Sequence, residues 1–168
     1  MCSRCVMRSV DDPDIQFIAG VCNHCRRYDE LLSSRVSTGD VAHNDVEALV
    51  SAMRRRGKKR RYDCVVGVSG GVDSSYIAYV VKKLGLRPLA VHVDTGWNSE
   101  TAVANIERVV KRLDIDLHTE VVDLREFYDL QCAFLLASTP DGDIPADHAI
   151  QATLWKVARR DRIPFIIS

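Results

Sequence analysis

Apolar residues along this chain switch between two spacings, and the switches mark out its elements. Cys64-Val65-Val66-Gly67-Val68 is almost continuously apolar, as expected of a strand, Tyr62 to Val68, buried on both faces. Straight afterwards Ile77, Val80 or Val81, and Leu84 recur at helical spacing, with Lys82 and Lys83 in the last turn and Gly85 as the stop. Pro88 to Asp94 reads as a second strand. Ser99 caps a helix whose Val103, Ile106, Val110 and Leu113 share a face, and Leu117 to Val122 gives a third strand. Asp123 and Glu126 have the offset of a capping box and open a helix carrying Phe127, Leu130, Phe134 and Leu135. After a loop over Ser138 to Pro145, a helix begins near Asp147 with Ile150, Leu154 and Val157. Ile163 to Ser168 starts a further strand. Upstream, Val46, Leu49, Val50 and Met53 predict one amphipathic helix behind Asn44 or Asp45, and the polar stretch Ser33 to Asn44 reads as a linker.

Strands alternating with helices imply an α/β fold: a parallel, doubly wound sheet with right-handed crossovers and helices on both faces. Ligands of such sheets bind beyond the carboxyl ends of the strands, near the switch point. The turn at Ser69, the loop after Asp94 and the segment around Asp147 fall on that edge, so three polar loops converge on one cleft. Cys64 and Cys132, lying in regular structure, are expected to be buried thiols.

Composition narrows the class. With 168 residues, 46% apolar and 27% charged, the chain can hold one full core, or one domain with a small appendage. Twenty-three basic and twenty-three acidic residues cancel, so no global field favours nucleic acid or an anionic membrane. Arg54 to Arg61 carries seven basic residues in eight. Such a run can contact nucleic-acid phosphates, but cations also gather at a helix C-terminus and are solvated beyond it, and zero net charge favours this second reading. No apolar stretch approaches the roughly 18 residues of a membrane span, and no secretion signal opens the chain. A cytoplasmic location is therefore expected, where the six cysteines serve metal binding or burial rather than disulfides.

Cys2-Ser3-Arg4-Cys5 and Cys22-Asn23-His24-Cys25 form two Cys-x-x-Cys knuckles at the spacing of a four-cysteine zinc site. Two thiolates from each complete one tetrahedron, and a lobe of residues 1–32 has too little core to hold itself without the ion. A redox dithiol pair is the competing reading, but no thioredoxin-like strand and helix accompanies it. With four thiolates in place, His24 is left to solvent.

The central turn, Ser69-Gly70-Gly71-Val72-Asp73-Ser74-Ser75, stops a strand and opens a helix. Its glycines let the backbone approach an anion, and the first helical amides have no internal partners. It is neither a Gly-x-x-x-x-Gly-Lys-Ser/Thr loop nor a Gly-x-Gly-x-x-Gly turn. A carboxylate, Asp73, beside a phosphate cradle calls for an intervening cation and so for magnesium; its competing role is to stabilise the helix N-terminus.

At these residues the chain resembles the PP-loop ATP pyrophosphatases, whose signature Ser69-Gly70-Gly71-Val72-Asp73-Ser74 matches. Six stretches add a narrower resemblance: Cys2 to Met7, Asp12 to Ile15, Gly20 to Cys25, Thr95 to Glu100, Asp129 to Gln131 and Asp147 to Ile150 together are similar to the N-acetyl sugar amidotransferases of bacterial surface-polysaccharide biosynthesis. The resemblance covers essentially the whole chain, and members of that family continue well beyond Ser168, so residues 45–168 are expected to be an incomplete ATP-binding domain. It implies that ATP lies over Ser69 to Ser75 with magnesium at Asp73 and the nucleoside near Asp94. It further implies that an acetamido sugar nucleotide is adenylated and converted to an acetamidino sugar, and that a glutaminase partner supplies ammonia. Asp147 and His148 are candidates for gripping the sugar or managing ammonia's proton, against a plain capping role for Asp147 and an idle His148. Two rivals stand beside this reading: a transfer-RNA thiolation enzyme of the same superfamily, and a non-catalytic, zinc-stabilised nucleotide-binding module.

Overall fold

A computed structural model describes residues 1–36 and 39–167. The chain divides into two compact units, Met1–Ala48 and Leu49–Ser168.

In the first unit, β1 (Phe17–Ile18) and β2 (Val21–Cys22) pair antiparallel around Ala19 and Gly20. Both turn residues have positive φ, 50° and 81°, as a two-residue hairpin turn demands, and glycine adopts that backbone at no steric cost. Helix α1 (Asn23–Arg35) follows with Cys22 as its N-cap, whose sulfur accepts from the Cys25 amide at 3.4 Å. Helix α2 (Gly39–Gly57) runs through the division between the units. The expected linker over residues 33–44 is therefore corrected: residues 33–35 end α1 and residues 39–44 begin α2, while residues 37 and 38 lie outside the described residues. The Ser- and Asn-rich composition suggested loop, but the helix is set by its far end, where Val50 and Met53 are buried and carry the preceding turns with them.

The second unit is a four-stranded parallel sheet in the order β5-β4-β3-β6, formed by β3 (Cys64–Gly67), β4 (Pro88–Asp94), β5 (Asp116–Val121) and β6 (Ile166–Ile167). The chain moves outward from β3 to β5 through α3 (Val72–Lys83) and α4 (Glu100–Leu113). It then returns through α5 (Leu124–Leu136) and α6 (Ile144–Arg160) to β6 on the other side of β3. The strand order reverses at β3, which makes its carboxyl end the switch point.

Alternation along β3 explains the two layers. Cys64, Val66 and Val68 pack with Val81, Ile106 and Val110 on the α3/α4 side. Val65, with Leu89 and Val91 of β4, packs against Leu154, Val157 and Ala158 of α6. Cys64 is fully buried, as expected, and burial pushes its thiol up to about 12. Three local expectations are corrected. Helix α6 starts at Ile144 rather than near Asp147, because Pro145 is seated in its first turn, where a missing amide costs nothing. Of the predicted apolar face of α5 only Phe127 is buried, while Leu130 and Leu135 are exposed. Cys132 is exposed on the same helix instead of buried.

One ion pair pins the amino edge of this sheet. Asp63, buried before β3, accepts from Arg87 Nη2 at 2.7 Å, from Arg87 Nε at 3.0 Å and from the Arg87 amide at 2.8 Å, while Arg87 Nη2 also donates to the Gly57 carbonyl at 2.8 Å. A Cβ on Gly57 would run into the Asp63 carboxylate, so glycine is required there. Burial pushes the Asp63 carboxyl upward, but the Arg87 hydrogen bonds and charge outweigh it and hold the group below the usual carboxylate range.

Candidate functional site

The turn after β3 is shaped by what packs on it. Gly70 has φ +78°, and a Cβ there would collide with the Ala102 backbone of α4. The neighbouring Asn105 donates to the Gly70 carbonyl at 3.2 Å, so α4 buttresses the loop from outside. Inside it, Ser74 Oγ accepts from the Ser69 amide at 3.2 Å and meets Ser69 Oγ at 3.1 Å, and Ser75 Oγ donates to the Gly71 carbonyl at 2.7 Å. Gly71 is the N-cap of α3 and offers no side-chain cap. The amides of the first turn, Val72, Asp73 and Ser74, have no helical partners. This is a cradle of amides and hydroxyls at the positive end of a helix.

The cradle opens on a cavity of about 390 Å³ at the carboxyl edge of the sheet. Ser69, Asp73 and Ser74 line one side; Ile77, Ile150 and Leu154 are among the apolar residues that close it. Asp73 is exposed on the first helical turn beside the two hydroxyls. That all-oxygen donor set fits a hard cation such as magnesium, which would neutralise charge between Asp73 and a polyphosphate.

Asp94 does not line the cavity. Its Oδ1 accepts from the Gly96 amide at 2.9 Å and from Asn98 Nδ2 at 2.8 Å, and so sets the loop that delivers Thr95 and Asn98 to the cavity wall. Asp147 and His148 are exposed on the first turns of α6 and do not line the cavity, whereas Ala146 and Ile150 of the same helix do. The cradle and the Asp94 loop thus meet at one cavity, and the two polar residues of α6 stand outside its lining.

One residue of the cavity wall escaped the sequence reading. His92 of β4 is 7% exposed; its Nδ1 lies 3.0 Å from the Val68 carbonyl, and its Nε2 is buried without a partner among the described residues. A carbonyl only accepts, so Nδ1 carries the hydrogen in that bond. Within the alternating run Leu89 to Val93 a histidine looks like one more core position, and nothing in the sequence marks the orphan atom.

A larger cleft, about 590 Å³, opens at the amino edge of the sheet, lined by Arg61, Tyr62, Asp116 and Arg160 among others. Its charges are matched internally: Arg61 and the Tyr62 hydroxyl both bond Asp116 Oδ2, at 2.9 and 2.6 Å, and Arg160 Nε bonds Asp161 at 2.8 Å. Chemistry, not volume, separates the two cavities. Part of the basic run is spent in a similar way, since Arg54 donates to the Leu84 carbonyl, Arg60 to the Arg162 carbonyl, and Arg56 lies over the Phe165 ring at 5.3 Å.

In the first unit the sulfurs of Cys2, Cys5, Cys22 and Cys25 all lie within 4.8 Å of one another, with Cys2 to Cys25 at 3.9 Å and Cys5 to Cys22 at 3.6 Å. A tetrahedron with metal–sulfur bonds of about 2.3 Å has sulfur–sulfur edges of about 3.8 Å, whereas a disulfide needs about 2 Å. The set fits one tetrahedral ion. Amides of Cys5, Arg4 and Cys22 draw the Cys2 thiol down to about 6, while hydrogen bonding to Cys5 and burial push the Cys25 thiol up to about 12, so without an ion the negative charge of the set gathers on Cys2. His24 stays outside the four-sulfur set, about half exposed and bonded to Asp12 Oδ2 at 2.6 Å.

The sequence model of the NAD synthase family matches residues 45–140, more than half of the chain. The chain belongs to the NAD synthase family. Within that family its fold is similar to the NAD+ synthetase of Burkholderia pseudomallei, at 22% identity and a TM-score of 0.51, over 85% of this chain and 69% of that one. An NH3-dependent NAD synthetase from Campylobacter jejuni aligns at 15% identity and a TM-score of 0.48, over 71% of this chain and 52% of that one. A curated relative, tRNA(Ile)-lysidine synthase of Chlamydia pneumoniae, is 43% identical over 44 residues, which are 26% of this chain and 13% of that protein. This NAD synthase family chain therefore spans about half the length of the Campylobacter enzyme and a small part of the lysidine synthase. Among the described residues, no helix is long and apolar enough to cross a membrane.

Proposed function

We propose that this chain is the ATP-binding, adenylating part of an amidotransferase that turns the acetamido group of an N-acetyl sugar nucleotide into an acetamidino group for surface-glycan biosynthesis. The observation that carries the ATP half is the joining of the Ser69 to Ser75 cradle, with Asp73 at its rim, to a largely apolar cavity that opens to solvent. The sugar half rests on the motif resemblance.

The amides and hydroxyls of the cradle bind the phosphates and hold the α-phosphorus toward the carboxyl edge of the sheet. The amide oxygen of the sugar attacks that phosphorus, the bond to the β-phosphate oxygen breaks, and pyrophosphate leaves. Ammonia adds to the resulting imidate carbon and loses a proton, the carbon–oxygen bond breaks, and AMP leaves with the original oxygen. One ATP is consumed for each amidine formed. Ammonia is mostly protonated at neutral pH, so a glutaminase subunit supplies it. Asp147 and His148 stand on exposed turns near the wall residues Ala146 and Ile150, where they serve an arriving substrate rather than the nucleotide. The four thiolates hold zinc as a structural ion.

ATP–pyrophosphate exchange with magnesium and a panel of acetamido sugar nucleotides tests the reading. Exchange dependent on one of those sugars is expected, falling about a hundredfold or more in Asp73→Asn. Absence of exchange with every sugar overturns it.

The 44-residue similarity to a lysidine synthase favours a second reading, action on transfer RNA. Salt-sensitive binding of transfer RNA, with a steep loss between 50 and 200 mM salt, would support that reading over the first.

A further inference from the structure

Trp97 is 69% exposed, yet it is held firmly in place. Its Nε1 donates to Gln131 Oε1 at 2.8 Å, and its ring packs against Tyr128, with centroids 5.3 Å apart and planes inclined by 58°. Tyr128 in turn stands against the buried Phe127 at 6.2 Å. The preceding Gly96, at φ +81°, leaves no room for a side chain, because a Cβ there would strike the Tyr128 hydroxyl. A large aromatic side chain left in water gains nothing from burial, so fixing it costs order without hydrophobic return.

Its position suggests what it is fixed for. Thr95 and Asn98, on either side of Trp97 in the chain, line the cavity beside the cradle, so Trp97 belongs to the loop that forms part of the cavity wall, while its own ring is turned to α5 and solvent. The polar groups around it are used on one side only. Gln131 has spent its oxygen on the indole and keeps its NH2 group as a donor. Asn98 has spent its nitrogen on Asp94 and keeps its oxygen as an acceptor. The indole has spent its only donor, which leaves its face. An apolar face flanked by one donor group and one acceptor complements a pyranose ring, whose C–H face is apolar and whose rim carries hydroxyls and an acetamido group. A nucleoside base is better served by the apolar cavity, with Ile77, Ile150 and Leu154 in its wall.

We infer that Trp97, backed by Tyr128 and flanked by Gln131 and Asn98, is the platform on which the sugar ring of the second substrate stacks. The inference rests on the proposed amidotransferase reading and adds to it the place of the sugar. Stacking here would present the acetamido group to the rim of the nucleotide cavity, while the Asp94 loop that carries the platform also supplies two residues of the cavity wall.

The chain has two tryptophans, Trp97 and Trp155, and Trp155 is exposed on α6 without lining the cavity. Trp155→Phe therefore leaves Trp97 as the only indole reporter. Titration with UDP-N-acetylglucosamine and UDP-N-acetylgalactosamine, with UDP as control, is expected to quench Trp97 emission, and MgATP is expected to leave it nearly unchanged. In the exchange assay, Trp97→Ala is expected to raise the sugar KM about tenfold with the ATP KM within twofold, and Trp97→Phe, which keeps a ring, to recover most of the loss. Quenching by MgATP in place of the sugars, or by neither, overturns the inference, as does a sugar KM that Trp97→Ala leaves unmoved. Exchange that fails with every sugar in the unaltered chain brings down the amidotransferase reading. Exchange that proceeds while Trp97 stays silent brings down the platform alone.

Discussion

Residues 1–48 bury Cys2, Ile15 and Cys22, with Met7 and Cys25 packed against them, whereas residues 49–168 cover both faces of a parallel sheet with apolar side chains from four helices and three strands. A fully buried aliphatic side chain contributes about 1.5–3 kcal/mol, and ordering one residue's backbone costs about 1–2 kcal/mol. A cluster the size of the first cannot offset the ordering of its own segment, and the second can. The four cysteines could hold an ion that supplies the missing term, because an ion bound only in the folded state would add its binding energy to folding. The difference teaches that one chain can stabilise one unit by coordination and the other by packing, and that each then fails under a different challenge.

Removing metal should give the largest effect and the sharpest contrast. Structural zinc in four-ligand sites is worth about 10–16 kcal/mol of apparent binding energy at neutral pH. The chain is expected to carry one zinc per molecule. Chelation is expected to abolish hydrogen-exchange protection at the β1–β2 hairpin and α1 while β3 and β4 stay protected. Protection that survives chelation in the hairpin would break the comparison. In the sheet unit the corresponding challenge is a cavity. Leu154 is 1% exposed and meets Gly67, so Leu154→Ala is expected to cost about 3 kcal/mol in denaturant melts, with zinc content unchanged.

How much of this was readable beforehand depends on how local the signal is. The two knuckles, the strand at Cys64, the turn at Ser69 and the cap at Ser99 are short patterns whose physics is complete within a few residues; Ser99 Oγ does accept from the Ala102 amide, at 3.1 Å. The start of α2 was misread because its stability comes from Val50 and Met53, several turns away from the polar residues that suggested a loop. The exposed face of α5 was misread because helical spacing says which residues share a face, not whether anything covers it. At the candidate site the cradle was legible, while His92 and Asn105 were not, and Gln131 stood out only as part of the stretch Asp129 to Gln131, without its partner. Each matters through a partner far off in sequence, 24 residues to Val68, 35 to Gly70 and 34 to Trp97, and no local pattern encodes such a pairing.

A smaller effect separates packing from charge within the sheet unit. Asp63 is held below the usual carboxylate range in the folded chain, so its contribution to stability is complete above its unfolded value of about 3.9 and is lost as pH falls through the lower, folded value. Asp63→Asn keeps the shape, leaves Arg87 without its charge partner, and is expected to cost about 1–2 kcal/mol at pH 7, discounted because Arg87 is half exposed. The gap between the two proteins should stay level from pH 7 to about 5, begin to narrow near about 4 and go on narrowing as pH falls further. A gap that does not narrow at all on acidification below about 4 would mean that the carboxyl's charge is not what Arg87 holds.

The smallest effect is expected at a residue that looks as important as Arg87 on paper. Arg61 closes the basic run and bonds Asp116 at 2.9 Å, but both side chains are more than half exposed, 76% and 54%. Asp116 also accepts from the Tyr62 hydroxyl at 2.6 Å, so the loss of Arg61 strands no carboxylate. Burial and that hydrogen bond push the Tyr62 phenol up to about 12, which keeps it a donor to Asp116 throughout the physiological range. Arg61→Ala should therefore leave the melting midpoint unmoved at moderate salt, and the sugar-dependent exchange with it. A lowered midpoint would show that this exposed pair carries weight the geometry does not give it. A loss of transfer-RNA binding with stability intact would instead turn the basic run into a phosphate contact and favour the RNA-modifying reading over the sugar one.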